Sequence, residues 1–92
     1  MNSTESFPLR KSVPWRTLDT EALVVDVKSG LLYPLNSVGA RIWDLCDGKR
    51  DVAQIVSSLC AAFDAPESTV RADVLEFLGE LRRERLLVVD TA

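Results

Sequence analysis

Asp73, Glu76 and Glu80 stand three and four residues apart, the spacing that gathers side chains on one side of a helix. Carboxylates grouped in this way can do acid–base or metal chemistry when a second group tunes or completes them. No such companion is at hand, because the chain contains no histidine. Serine or cysteine nucleophiles would have to rely on a lysine or a carboxylate as base. Cys46 and Cys60, the only cysteines, each fall among apolar neighbours at helical spacing and are expected to be reduced core residues. A zinc site lacks ligands. Neither a G-x-G-x-x-G run nor a P-loop occurs, so phosphate cradling finds no support. The residues therefore do not point to an enzyme, and no cofactor is implied. Glu76 and Glu80 read as a solvated helix face. Asp73 lies beside an apolar stripe with Phe77 one turn on, which suits either the same solvated face or the rim of a groove that receives a peptide. Arg82, Arg83 and Arg85 meet the negative end of a helix dipole. They and the pair Lys49 and Arg50 are also available to a partner.

The elements that must position these residues belong to one small domain. The 92 residues carry 11 basic and 14 acidic side chains, and 47% are hydrophobic, the profile of a globular protein with a thin core. A net charge of −3 is the wrong overall sign for duplex nucleic acid. No apolar run approaches the roughly 20 residues of a membrane span, and residues 1–16 lack the apolar core of a secretory signal, which predicts a cytoplasmic protein. Residues 1–14, polar and Ser-rich with prolines at positions 8 and 14, are expected to form a flexible N-terminal tail, and 15–92 the folded domain.

Trp15 to Leu18 is a short strand candidate, and "ALVVDV" and "GLLYPL" flank a turn at Lys28, Ser29 and Gly30. A three-residue loop pairs Val27 with Leu31, Val25 with Tyr33 and Leu23 with Leu35 on one face. Pro34 has no N–H to give to a ladder, so its strand suits an edge. Asn36 is an N-cap for a helix from Ser37 to about Cys46, closed by Asp47 and Gly48. On this helix Trp43 reads as a core or core-edge aromatic, placed at the edge of the apolar stripe. Asp51 and Gln54 have capping-box spacing at the head of a second helix bearing Val52, Ile55, Val56, Leu59, Cys60 and Phe63. Pro66 opens a third, to about Glu84, with Val70, Val74, Phe77, Leu78 and Leu81 as its stripe. "LLVV", residues 86–89, reads as a last strand or a tail laid on the core.

Three segments in order, Y-x-L-N-x-x-G-x-x-I-W-x-L-x-D-G (Tyr33 through Gly48), D-V-x-x-I-V-x-x-L (Asp51 through Leu59) and A-D-V-L-E-F-L-x-x-L (Ala72 through Leu81), resemble the PqqD family. The resemblance covers residues 17–89. It implies an α+β fold, a small winged-helix-like domain with a three-stranded antiparallel sheet followed by three helices. It also implies a non-catalytic peptide chaperone, a RiPP recognition element that binds the leader of a ribosomally made precursor as an added strand between the third strand and the third helix. On this chain those places give Leu31, Leu32, Tyr33 and Pro34 from the strand and Val70, Asp73, Val74 and Phe77 from the helix. The implied partners are the precursor's leader and a modifying enzyme, such as a radical SAM protein or a lasso-peptide leader protease and cyclase. One departure stands out: the family usually has glycine before its last Leu-Leu, and here Arg85 takes that place.

Two other readings fit the same elements. A winged-helix DNA-binding regulator shares the fold, but Val52 to Phe63, a helix that would enter a groove, contains no Lys or Arg. A non-catalytic subunit that forms a homodimer through the edge strand is the other.

Overall fold

The structure, a computed structural model, describes residues 7–88. Three strands lead, β1 (Trp15–Leu18), β2 (Glu21–Asp26) and β3 (Leu31–Leu35), and three helices follow, α1 (Ser37–Leu45), α2 (Val52–Phe63) and α3 (Glu67–Arg83). The sheet is antiparallel in the order β1-β2-β3, so β3 is an edge, as Pro34 requires. This is the α+β architecture expected from the sequence.

The hairpin register differs by one residue from the expected one. Ala22 pairs with Leu35, Val24 with Tyr33 and Asp26 with Leu31. The cause is Asp26, whose carboxylate accepts the Lys28 N–H (3.1 Å) while its carbonyl accepts the Gly30 N–H (2.7 Å). These bonds, with Gly30 at a φ of 78°, make Asp26 the last paired residue and lengthen the loop to Val27 through Gly30. Because side chains alternate along a strand, the slip exchanges the faces of β2. Ala22 and Val24 are buried, and Leu23 and Val25 turn to the outer face. Strand β3 keeps its expected parity, with Tyr33 and Leu35 inward, although Leu31 lies exposed at the strand's end.

The helices begin as their sequences dictate. Asn36 Oδ1 accepts the Gly39 N–H at 2.8 Å, and Asp51 and Gln54 exchange both bonds of a capping box. Pro66 sits at the N-cap of α3, one place before the helix starts. At the other end, the N–H of Arg85 bonds the carbonyl of Arg82 and that of Leu86 the carbonyl of Leu81, the two bonds of a Schellman motif. Arg85 takes the left-handed φ of 60° that the motif demands. Arginine thus stands in a conformation that glycine adopts at lower cost.

Trp43, expected at the edge of its stripe, is fully buried at the centre of the core with Ile42, Ile55, Leu59 and Leu78. Strand β1 brings Trp15 edge-on to it, ring centroids 6.2 Å apart. Among the described residues the Trp43 indole N–H has no hydrogen-bond acceptor.

Part of the segment expected to be a tail is bound into the fold. Leu9 bridges Asp47 on one side, and Arg10 bridges Leu87 on the other. The Arg10 N–H donates to the Cys46 carbonyl, Lys11 to Leu86 and Val88 to Leu9, so residues 8–11 form a strap between the end of α1 and the buried Leu86 and Leu87. Arg10 Nη1 also reaches the carbonyl oxygens of Trp43, Asp44 and Cys46 at 3.0–3.3 Å, and its guanidinium lies 5.4 Å from the centre of the Trp15 ring. Proline and serine composition suggests a tail, but backbone hydrogen bonds do not depend on composition. Residues 1–6 and 89–92 lie outside the described residues.

Candidate functional site

Which way the groups of β3 point follows from two bonds. The Val25 N–H donates to the Pro14 carbonyl at 2.9 Å, toward β1, while the Asp26 carbonyl accepts from Gly30, toward β3. Along a strand these directions alternate, so Ala22, Val24 and Asp26 bond β3, and their partners Leu35, Tyr33 and Leu31 bond inward. Leu32 and Pro34 therefore turn their backbone groups to the open edge. That edge offers the Leu32 N–H and two carbonyls, and proline occupies the place where a second N–H would stand.

Beside this edge a cleft of about 270 Å³ separates β3 from α3. Tyr33, Pro34 and Leu35 form its strand side, Phe77, Glu80, Leu81 and Glu84 its helix side, and Leu86 part of its floor. It runs into a second hollow of about 310 Å³ between α1 and α3, lined by Asp73, Glu76 and Ile42 among others. Asn36, Gly39, Phe77 and Glu80 line both, so the two form one continuous surface. Gly39 makes room for the Phe77 ring: a Cβ there would stand 3.2 Å from its Cε1 atom. At the far end of α3, the Tyr33 hydroxyl donates to Glu84 Oε1 at 2.9 Å and ties strand to helix. That bond to a carboxylate raises the phenol's pKa above its ordinary value.

The expected site residues fall into three groups. Tyr33, Pro34 and Phe77 line the cleft, with Asp73 on its extension. Leu31 and Leu32 are exposed on the edge strand, Leu32 toward the outer face of the sheet. Val70 and Val74 do not belong to the cleft: both are buried with Leu78 and Leu81 on the stripe of α3 that packs into the core. The helix side of the cleft falls instead on positions 73, 76, 77, 80 and 84. Leu35, Asn36, Gly39, Glu80, Leu81, Glu84 and Leu86 join the site unannounced by the sequence, which marks Asn36 and Gly39 only as cap and motif residues and Glu80 as plain solvent-facing charge. For Glu80, Leu81 and Glu84 the signal is the helical period counted from Phe77, which reaches 80, 81 and 84.

Among the described residues no three His, Cys, Asp or Glu side chains are grouped as metal ligands. No described helix is long and apolar enough to cross a membrane. Cys46 is buried, which pushes its thiol up to about 12 and makes it a poor nucleophile.

The fold of three strands followed by three helices is shared with known proteins. The model of the family "Coenzyme PQQ synthesis protein D (PqqD)" matches residues 21–87. The chain belongs to the PqqD family. A PqqA binding protein of Xanthomonas oryzae pv. oryzae is 46% identical over 41 residues, 45% of either chain. A PqqA binding protein of Gluconobacter oxydans is 34% identical over 55 residues, 60% of this chain and 57% of the relative. The matched stretch thus spans about half the length of these curated relatives. TbiB1, solved in complex with the TbiA(beta) leader peptide, superposes with a TM-score of 0.80 at 27% identity, over 91% of this chain and 99% of the other. The PqqD part of Methylobacterium extorquens PqqCD, a stand-alone RiPP recognition element solved by NMR, shares the fold with a TM-score of 0.72 at 22% identity, over 94% and 98%.

Proposed function

We propose that this PqqD-family chain is a leader-peptide-binding chaperone of a ribosomally synthesised, post-translationally modified peptide pathway, working in the cytoplasm without catalysing a reaction. The leader adds as a fourth strand to the open edge of β3. Alternate side chains then turn toward α3 and settle in the cleft. The observation that carries this reading is the outward-facing Leu32 and Pro34 backbone directly beside the hollow lined by Tyr33, Phe77 and Leu81. Its role for the modifying enzyme is tethering: a bound leader holds the segment to be modified at an effective concentration on the order of millimolar. A radical SAM enzyme or a leader protease and cyclase both suit this arrangement.

The test is titration with the leader of the precursor encoded in the same gene cluster, alongside a duplex DNA of similar charge. Saturable leader binding that depends on the β3 edge is expected. Salt-sensitive DNA binding without leader binding would overturn the reading in favour of a regulator.

A further inference from the structure

The cleft has a sign. Asp73, Glu76, Glu80 and Glu84 line its helix side and its extension, and no lysine or arginine is among the lining residues. Several carboxylates elsewhere are engaged within the fold: Asp47 pairs with Arg50, Glu67 with Arg71, Asp51 caps α2 and Asp26 closes the hairpin loop. Among the described residues, none of the four cleft carboxylates forms an ion pair, and only Glu84 has a side-chain hydrogen bond, from Tyr33. Beneath them lies an apolar floor of Leu35, Leu81 and Leu86.

We infer that the peptide taken by this cleft is cationic on one face, with a Lys or Arg meeting Glu80 and Glu84 and apolar side chains seated on Phe77 and Leu81. This rests on the leader-binding reading and narrows its ligand to a chemical class. The edge fixes where the cation belongs. Residues of an added strand that lie alongside Tyr33 and Leu35 face the cleft, because those two side chains do, and residues alongside Leu32 and Pro34 face the outer surface of the sheet. The basic residue therefore sits alongside Tyr33, within reach of Glu84, with an apolar residue two positions away alongside Leu35. A long basic side chain suits the place, since its methylene stem can cover Phe77 while its charge meets the carboxylates at the rim. An acidic side chain there would meet like charge on a surface with no cation to relieve it.

The probe is a displayed library of random 12-residue peptides, selected on the full chain, on Glu80→Gln/Glu84→Gln and on Leu32→Pro. The Gln pair keeps the shapes, and the new amide at position 84 keeps an oxygen to accept the Tyr33 hydroxyl. Peptides that bind the wild type and lose binding to Leu32→Pro occupy the β3 edge. These are expected to be enriched in Lys or Arg at one position with an apolar residue two places on, and the enrichment should vanish on the Gln pair. For one selected peptide, replacing the basic residue by Glu should weaken binding about fivefold or more, and raising salt should weaken the wild-type complex but not that of the Gln pair. The Lys→Glu arm uses unaltered protein, so it stands even if the Gln pair folds poorly. Edge-dependent peptides without a basic position, or with affinity unchanged by Lys→Glu, would overturn the inference and leave leader binding intact. If no selected peptide depends on the Leu32 edge, strand addition fails and the inference falls with it.

Discussion

Replacing Leu32 by proline should separate binding from folding. The Leu32 N–H faces the open edge, so the substitution removes none of the bonds that join β3 to β2. The leucine side chain is 56% exposed, and its loss sacrifices about 1 kcal/mol of burial. Part of that is offset by about 0.4–1 kcal/mol from the stiffer unfolded chain. Stability should change by less than about 1 kcal/mol. An incoming strand fares worse. It loses one main-chain bond, about 1 kcal/mol, and its carbonyl meets the proline ring, leaving an acceptor without its donor for about 1 kcal/mol more. A total of about 2 kcal/mol corresponds to roughly 30-fold weaker binding. Leader titration by fluorescence anisotropy measures this, with urea unfolding and amide exchange on the same protein. Leu32→Ala, which keeps the N–H, should lose much less affinity. Tyr33→Pro, which removes an inward N–H, should unfold the hairpin. A folded Leu32→Pro protein with wild-type affinity would refute strand addition at this edge.

Three further outcomes are expected. Arg85→Gly relieves a left-handed non-glycine residue and should stabilise the domain by about 1 kcal/mol, raising Tm by about 4–8 °C in a thermal melt; a lower Tm would contradict the Schellman ending. A thiol reagent such as DTNB should modify half-buried Cys60 in the native protein and buried Cys46 only on unfolding, while Cys46→Ala should cost about 1–3 kcal/mol and leave leader binding in place. The Asp47 pKa is lowered below 3.8, first by the Lys49 backbone N–H and also by the Arg50 charge. Its contribution to stability is therefore complete above that value and lost as pH falls through the lower folded one, so Asp47→Asn should flatten this part of an acid-unfolding curve.

The helices were legible because their signals are local. A cap at Asn36, a capping box at Asp51 and apolar residues at helical spacing need no knowledge of the rest of the chain. The hairpin register was not, since it turns on whether Val27 pairs or loops, and the bonds of Asp26 to the turn decide that. The strap at residues 8–11 was illegible for a related reason: its partners, at Asp47 and Leu87, lie far along the chain, and they are backbone groups that leave no mark in side-chain patterning. Of the cleft, Tyr33 and Pro34 were readable from the edge-strand pattern and the family motif. On the helix side Asp73 and Phe77 do line the hollow, while Val70 and Val74 do not, because an apolar stripe says which side of α3 is buried but not which neighbouring side is left beside a sheet edge. Val70 and Val74 satisfied the first condition, and Glu80 and Glu84 the second.

Pro34 has a further consequence, for encounters between copies of the chain. An exposed strand edge ordinarily invites its own kind, and two β3 edges could approach in antiparallel fashion as easily as a foreign strand could. In such a pairing each copy would bring a proline with no N–H, so two of the rungs would lack a donor, and neither rigid strand could shift to compensate. A pliant peptide can place a small or turning residue at that rung and keep the others. The same missing hydrogen that limits the edge to a short ladder thus acts as a filter, leaving the slot vacant for a guest while making it a poor template for stacking the protein upon itself.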